Sequence, residues 1–202
     1  PGVTTATLHA TGDSGPLSLA VPGRFNLANA AAAYAVGRAL GLDGTALRAA
    51  LGAFAGTHRR FELRGEAAGV RVYDDYAHHP TEVIATLKSA RSCTRGKVLC
   101  VFQPHTYTRT YELLDDFSRA FDLCDQVIVT DIYAAREKDN GLVHSRQLTE
   151  KINLNTNNAI YISGFDDIAE YILDNARSGD LILTMGAGNI NKLGELLLAS
   201  NK

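Results

Sequence analysis

Apolar positions follow two different rhythms along this chain, and the change comes near residue 61. In the first part, Thr4–His9 and Pro16–Ala20 read as short strands around the turn Thr11–Gly12–Asp13–Ser14–Gly15, whose glycines permit tight backbone geometry. An Ala-rich helix is predicted from about Leu27 to Leu40, with Asn26 placed to cap it and Gly41 to end it. Its small side chains permit close packing against neighbours. A second helix is predicted to begin at Asp43–Gly44–Thr45, with Thr45 as its cap, and to run to about Phe54. Two short strands and two helices cannot enclose a core of ordinary size, so residues 1–62 predict an edge of a larger domain.

From Phe61 onward the pattern becomes strand, helix, strand, helix. Strands are predicted over Val70–Asp74, Lys97–Gln103, Gln126–Asp131, Ala159–Ser163 and Asp180–Met185, several of them almost continuously apolar, as strands covered on both faces are. Between them lie helices from Pro80 to about Ser92, Tyr111–Phe121, Ser145–Ile152 and Asp166–Asn175, with a last helix over about Ile190–Leu198. Pro80 suits a first helical turn, where its missing N–H costs nothing. Leu114, Phe117 and Phe121 recur at three- and four-residue spacing on one face. The fold class predicted for residues 63–202 is α/β: a Rossmann-like, mostly parallel sheet with helices on both faces.

Composition narrows the class further. At 202 residues, with 46% apolar and 21% charged residues, the chain has the make-up of a folded protein of one to two domains. A net charge of −2 and the lack of any Lys/Arg block argue against nucleic acid as a partner. Cys93, Cys100 and Cys124 are odd in number and widely spaced, which fits a reducing, cytoplasmic compartment, with Cys100 and Cys124 expected in the core. No apolar run approaches the roughly 18 residues that a membrane span needs. The chain opens at Pro1 with neither an initiator Met nor a leader, which reads as a trimmed chain or a fragment.

Open parallel sheets bind ligands beyond the carboxyl ends of their strands, and four polar clusters fall there. Asp74–Asp75–Tyr76–Ala77–His78–His79–Pro80 offers carboxylates for a ribose, a cation or an ammonium, and imidazoles that donate or accept; the plainer reading is a turn that caps the next helix. Gln103–Pro104–His105–Thr106–Tyr107–Thr108–Arg109–Thr110 sets an arginine near a helix start, an arrangement that suits a carboxylate or phosphate, with Thr108 or Thr110 as candidate caps. In Thr130–Asp131–Ile132–Tyr133 the Asp131 carboxylate could orient an arginine or ammonium, while Arg136–Glu137–Lys138 beyond reads as a solvated loop. Met185–Gly186–Ala187–Gly188–Asn189 brings a backbone close to a ligand or makes a tight turn, and Lys192 stands where a dinucleotide fingerprint needs its third glycine. The sequence contains neither a G-x-x-x-x-G-K-[ST] phosphate loop nor a G-x-S-x-G elbow, and the His/Cys/Asp/Glu spacing matches no standard metal site.

These clusters, with Gly23–Arg24–Phe25–Asn26–Leu27–Ala28–Asn29–Ala30 and Gly56–Thr57–His58–Arg59–Arg60–Phe61–Glu62 ahead of them, occur in the order found in the Mur ligases. The resemblance covers essentially the whole chain and is greatest to the L-alanine-adding members. It implies that residues 1–62 are the carboxy-terminal remnant of a central P-loop ATP-binding domain and that 63–202 are the amino-acid-binding domain. The implied reaction uses ATP and Mg2+ to convert the carboxylate of UDP-N-acetylmuramate into an acyl phosphate, which the amino group of L-alanine attacks. Asn26, Asn29, Arg60 and Asp75 resemble the ATP contacts. Tyr76, His78, His105 and Arg109 resemble the wall around the amino acid, with Arg109 the carboxylate anchor. The implied partners are those two small substrates and the remaining amino-terminal and central segments of the same protein, without which the chain is expected to be inactive. Rival readings are a ligase for another amino acid or for murein tripeptide, and a Rossmann-like binding module without chemistry. The chain departs from the family pattern at Phe25, where His is usual, at Thr106, where Arg is expected, and at Arg136, often Gly.

Overall fold

The computed structural model describes residues 4–10, 12–139 and 141–199, and these divide into two compact units, residues 1–57 and 58–202. Thr11 of the expected first turn lies outside the described residues.

In the first unit β1 (Thr4–Ala10) pairs antiparallel with β2 (Asp13–Leu19), followed by α1 (Arg24–Ala39) and α2 (Gly44–Ala53). Its buried apolar cluster is small: Leu17, Leu19 and Ala30, with Leu8, Val21, Leu27 and Leu51 packed against it. A polar knot supplements it, because Asp13 on β2 accepts hydrogen bonds from Tyr34 of α1 and Arg48 of α2. Two expected caps are corrected. Helix α1 starts at Arg24 behind Gly23, so Asn26 lies inside the first turn, where its Nδ2 donates to the Pro22 carbonyl at 2.7 Å. Helix α2 is capped by Asp43, not Thr45; the Asp43 side chain accepts from Ala46 N–H at 2.8 Å, and a carboxylate there also complements the helix dipole.

The second unit runs β3 (Glu62–Ala67), β4 (Val70–Asp75), α3 (Pro80–Cys93), β5 (Val98–Phe102), α4 (Tyr107–Glu112), α5 (Leu114–Ser118), β6 (Gln126–Val129), α6 (Ser145–Asn155), β7 (Ala159–Tyr161), α7 (Phe165–Asn175), β8 (Leu181–Met185) and α8 (Asn191–Ala199). The sheet order is β3-β4-β8-β5-β6-β7, parallel throughout except for the edge strand β3. Every residue of β5 and β8 is buried, which is why those stretches read as almost continuous apolar runs. Alternation divides them between two cores: Val98, Cys100 and Phe102 join Leu87, Phe117 and Leu148 on one face, and Leu99 and Val101 join Ile168, Ile172 and Leu193 on the other.

The order of strands explains that division. The crossovers that carry the chain from β4 to β5, β6 and β7 advance in one direction across the sheet, and right-handed connection puts α3, α5 and α6 on one face. The chain then turns back to insert β8 between β4 and β5, so α7 covers the opposite face. This reversal makes a topological switch point at the carboxyl ends of β4, β8 and β5, the place where such sheets bind ligands.

Two expectations need correction here. The helix read over Tyr111–Phe121 is two short helices that meet at Leu113, whose φ of −106° and ψ of 18° break the α-helical course. The first starts early because Thr106, not Thr108 or Thr110, caps it, accepting from Arg109 N–H at 3.4 Å. Strand β3 was not anticipated, since its charged residues and the register shift between Leu63 and Gly65 obscure a strand pattern; both features suit a sheet edge.

Candidate functional site

The site is built outward from the carboxyl end of β4. Asp74 is 1% exposed, and its two oxygens are divided between neighbouring strands and the segment before β3: Oδ1 accepts from Thr184 Oγ1 of β8 at 2.7 Å and Oδ2 from Arg59 Nε at 2.8 Å. The same guanidinium donates to the carbonyls of Gly188 at 2.9 Å and Gly186 at 2.7 Å. Arg59 therefore ties the β8–α8 turn to β4, and it adopts a left-handed φ of 56° to do so. Phe61 is also left-handed, with φ 45°, and its ring stacks on Tyr73 at 4.5 Å between centroids. Such backbone costs about 1–3 kcal/mol per non-glycine residue and persists only where the surroundings over-determine it. Here the Arg59 bonds, the Phe61–Tyr73 stack and the Phe61 N–H to Asp75 Oδ2 bond of 2.7 Å supply that constraint.

Asp75 is 4% exposed and serves the turn itself, with Oδ1 accepting from Ala77 N–H at 2.7 Å. Burial pushes its carboxyl above the usual carboxylate range, against the opposing pull of the Ala77 and Phe61 N–H groups and of Arg60. Arg60 is exposed, and its guanidinium lies 5.8 Å from the Tyr76 ring centroid.

Beyond Asp75 four aromatic rings line one wall. Tyr76 meets His78 edge-on at 5.5 Å, His78 lies 5.9 Å from His105, and His105 stacks on Tyr133 at 5.7 Å. Arg59 covers Tyr76 at 5.0 Å. Arg109 in the first turn of α4, four residues after His105, places Nη1 3.0 Å from His105 Nδ1. Burial, with Arg109 and His78 adding to it, holds the His105 imidazole below its ordinary range, so this ring is neutral at pH 7.

The base of the wall is fixed by the start of α3. His79 caps the helix and Glu82 closes the capping box, with Oε2 accepting from His79 N–H at 3.1 Å and from His78 N–H at 3.0 Å. Burial raises the Glu82 carboxyl, but the His78 and His79 N–H groups, the His78 ring and Arg60 outweigh it and leave the group below its ordinary value. Its pattern in the sequence, a polar cap followed three residues later by Glu, is the signal that marks it.

The geometry thus brings Tyr76, His78, His105 and Arg109 together, with Arg60 and Asp75 beside them. Asn26 and Asn29 belong to the first unit, one turn apart on α1, where Asn29 Nδ2 donates to Asn26 Oδ1 at 3.4 Å. Arg59, Glu82 and Tyr133 also contact this wall, and no role was given to them from the sequence. Nothing in a run of two arginines distinguishes the buried one from the exposed one. Asp131 turns away from any arginine, accepting instead from Ser163 Oγ at 2.8 Å and from Tyr161 OH. Glu137 does not stay merely solvated, since it accepts from Thr108 N–H at 3.0 Å at the start of α4.

Gly186 and Gly188 are explained by packing. A Cβ at Gly186 would lie 2.6 Å from the Gln103 carbonyl oxygen, and one at Gly188 2.6 Å from Tyr133 Cγ. Gln103 itself is buried, donates to Asn189 Oδ1 at 2.9 Å, and keeps a buried Oε1 without a hydrogen-bond partner in the structure. Among the described residues no group of three or more His, Cys, Asp or Glu side chains could hold a metal ion. No helix among them is long and apolar enough to cross a membrane.

A buried-strand α/β sheet with cationic and imidazole groups converging at its switch point defines a ligand-binding domain of Rossmann-like type. Comparison narrows it. Residues 59–188 match the model of the Mur ligase glutamate ligase domain, and the chain belongs to the Mur ligase family. It is 48% identical over 188 residues to a UDP-N-acetylmuramate–L-alanine ligase of Caldanaerobacter subterraneus, covering 93% of this chain and 41% of that protein. To the enzyme of the same name from Acetivibrio thermocellus it is 53% identical over 182 residues, covering 90% and 39%. The chain therefore spans about two fifths of the length of these curated relatives. Among solved structures, the UDP-N-acetylmuramate-alanine ligase of Thermotoga maritima superposes with a TM-score of 0.82 at 26% identity, over 98% of this chain and 43% of that one. A murein peptide ligase from Psychrobacter arcticus gives 0.69 at 25% identity, over 97% and 41%.

Proposed function

We propose that this chain supplies the amino-acid side of an ATP-dependent ligase that joins L-alanine to UDP-N-acetylmuramate in the cytoplasm, acting with the further segment that its curated relatives carry. The observation that carries this reading is the wall of Tyr76, His78, His105 and Arg109 at the switch point, in a chain about half identical to relatives of that name. Arg109 offers guanidinium N–H groups to a carboxylate. Thr106, in place of a second arginine, caps α4 and so helps to aim Arg109, whose backbone N–H it accepts.

Residues 1–62, of which 1–57 form the compact unit with the small buried cluster, are read as part of a larger ATP-binding domain. Asn26 and Asn29 would meet the adenine and Arg60 the phosphates. Asp75 already accepts two backbone N–H groups, and the lone pairs left on its oxygens would take a ribose hydroxyl. The nucleotide would supply the phosphoryl group that activates the muramate carboxylate. Mg2+ typically binds through substrate phosphates with only one or two carboxylates, so it is assigned to the nucleotide rather than to a cage of side chains in this chain. What this chain contributes is binding and orientation of the amine nucleophile, which converts a bimolecular attack into an oriented one.

The test is a chimera in which this chain replaces the matching segment of the Acetivibrio thermocellus relative. Phosphate release from ATP is expected to require both UDP-N-acetylmuramate and L-alanine, whereas the 202-residue chain alone should show no turnover. Stimulation by murein tripeptide but not by L-alanine would reassign the acceptor; a verified, folded chimera without acceptor-dependent turnover would favour a binding module.

A further inference from the structure

Two histidines face the proposed amino-acid site, and their partners force them into opposite tautomers. His78 Nδ1 lies 2.9 Å from the Tyr76 carbonyl oxygen and 3.5 Å from Glu82 Oε2. Both of those atoms are acceptors only, so Nδ1 carries the proton and the neutral ring keeps its lone pair on Nε2. His105 Nδ1 lies 3.0 Å from Arg109 Nη1, which can only donate, so that ring keeps its lone pair on Nδ1 and its proton on Nε2. The rings are 5.9 Å apart between centroids. One therefore offers an acceptor and the other a donor, which matches the two ends of an amino-acid zwitterion: ammonium toward His78, carboxylate toward Arg109 and His105.

An ammonium group cannot attack an acyl phosphate, because its nitrogen has no free lone pair. A proton must leave first, and an acceptor must be within hydrogen-bond reach. We propose that His78 is the base that takes this proton, at Nε2, with Tyr76 and Glu82 holding the ring in the competent tautomer. The proposal rests on the ligase reading above. In the step, one N–H bond of the ammonium breaks and its proton passes to His78 Nε2. The freed lone pair forms the C–N bond to the acyl carbon, and the bond from that carbon to the phosphate oxygen breaks. The second proton, now on a cationic nitrogen, leaves with the phosphate, and His78 returns its own to water. The carboxylate of Glu82, with its lowered pKa, faces the imidazolium formed on the way and stabilises it, as an orienting carboxylate does in acid–base dyads. His105 stays neutral beside it, held so by burial and by Arg109.

Hydroxylamine separates this role from a structural one. It is a neutral nucleophile near pH 7, so it attacks an acyl phosphate without giving up a proton first. In the chimera, His78→Asn is expected to slow L-alanine ligation by about 100-fold or more while hydroxamate formation with hydroxylamine stays within about threefold of the unsubstituted rate. Ligation that stays within about threefold overturns the proposal. So does a parallel fall in both reactions, which would make His78 a support of the site's structure. If the unsubstituted chimera forms no hydroxamate, the acyl-phosphate reading itself fails, and the role of His78 fails with it.

Discussion

The two units of this chain use similar residues to different ends. The first buries three apolar side chains in its cluster and leaves Phe25, Val36, Leu40, Leu42 and Phe54 exposed, whereas the second encloses two cores, one on each face of a six-stranded sheet. Among the described residues only the second holds left-handed non-glycine backbone of the kind seen at Arg59, Phe61 and Thr106. The difference teaches where strain can be kept. A segment can be held off its preferred backbone only if buried bonds outweigh the cost, and Asp74, Arg59 and the Gly186–Gly188 carbonyls provide such bonds. The proposed site is in the unit that can meet this condition.

That contrast can be broken most severely at Arg59. Arg59→Ala leaves the Asp74 carboxylate buried without its cation and frees two turn carbonyls, so urea unfolding of the chain should show the second unit destabilised by about 3–5 kcal/mol. Next comes Thr184→Val, similar in shape but without the hydroxyl that donates to Asp74 Oδ1; a loss of about 1.5–3 kcal/mol is expected by the same measurement. An unchanged midpoint in either variant would show that this buried polar set is not what holds the turn.

A smaller effect concerns pH. His105 has a folded-state pKa below its ordinary value of 6.5, so the unfolded chain binds this proton first as the solution is acidified. The contribution to stability is present above 6.5 and is lost as pH falls through the lowered value. The difference in unfolding free energy between the wild type and His105→Gln should therefore move against the wild type on acidification from about pH 7 to about pH 5, the carboxylates common to both cancelling. A shift in the wild type's favour would contradict the burial and Arg109 contacts assigned to this ring. The smallest effect is expected in the first unit: Leu40→Gln, at a side chain 75% exposed, should change stability by no more than about 0.5 kcal/mol.

Much of the second unit was legible in the sequence because its signal is local. Runs such as Val98–Phe102 and Leu181–Met185 announce strands covered on both sides, and Pro80 marks the start of α3. The clustering of Tyr76, His78, His105 and Arg109 was legible too, since strand ends in a parallel sheet lie along one edge. What escaped was set by long-range geometry. The place of β8 between β4 and β5, the burial of Arg59 while Arg60 stays exposed, and the stacking of Tyr133 on His105 depend on contacts between residues far apart in sequence. The caps misread as Asn26, Thr45 and Thr108 or Thr110 failed for a nearer reason: several competent residues stood within one turn, and the backbone chose Gly23, Asp43 and Thr106.

The central claim is that the wall at the switch point is an amino-acid site anchored by Arg109. Its most direct test is the KM for L-alanine of Arg109→Ala in the chimera. Loss of a charge-assisted hydrogen bond is expected to raise that KM by about 10- to 100-fold, with the KM for ATP changed by less than about twofold. An unchanged KM for L-alanine, or an equal rise for both substrates, would contradict it.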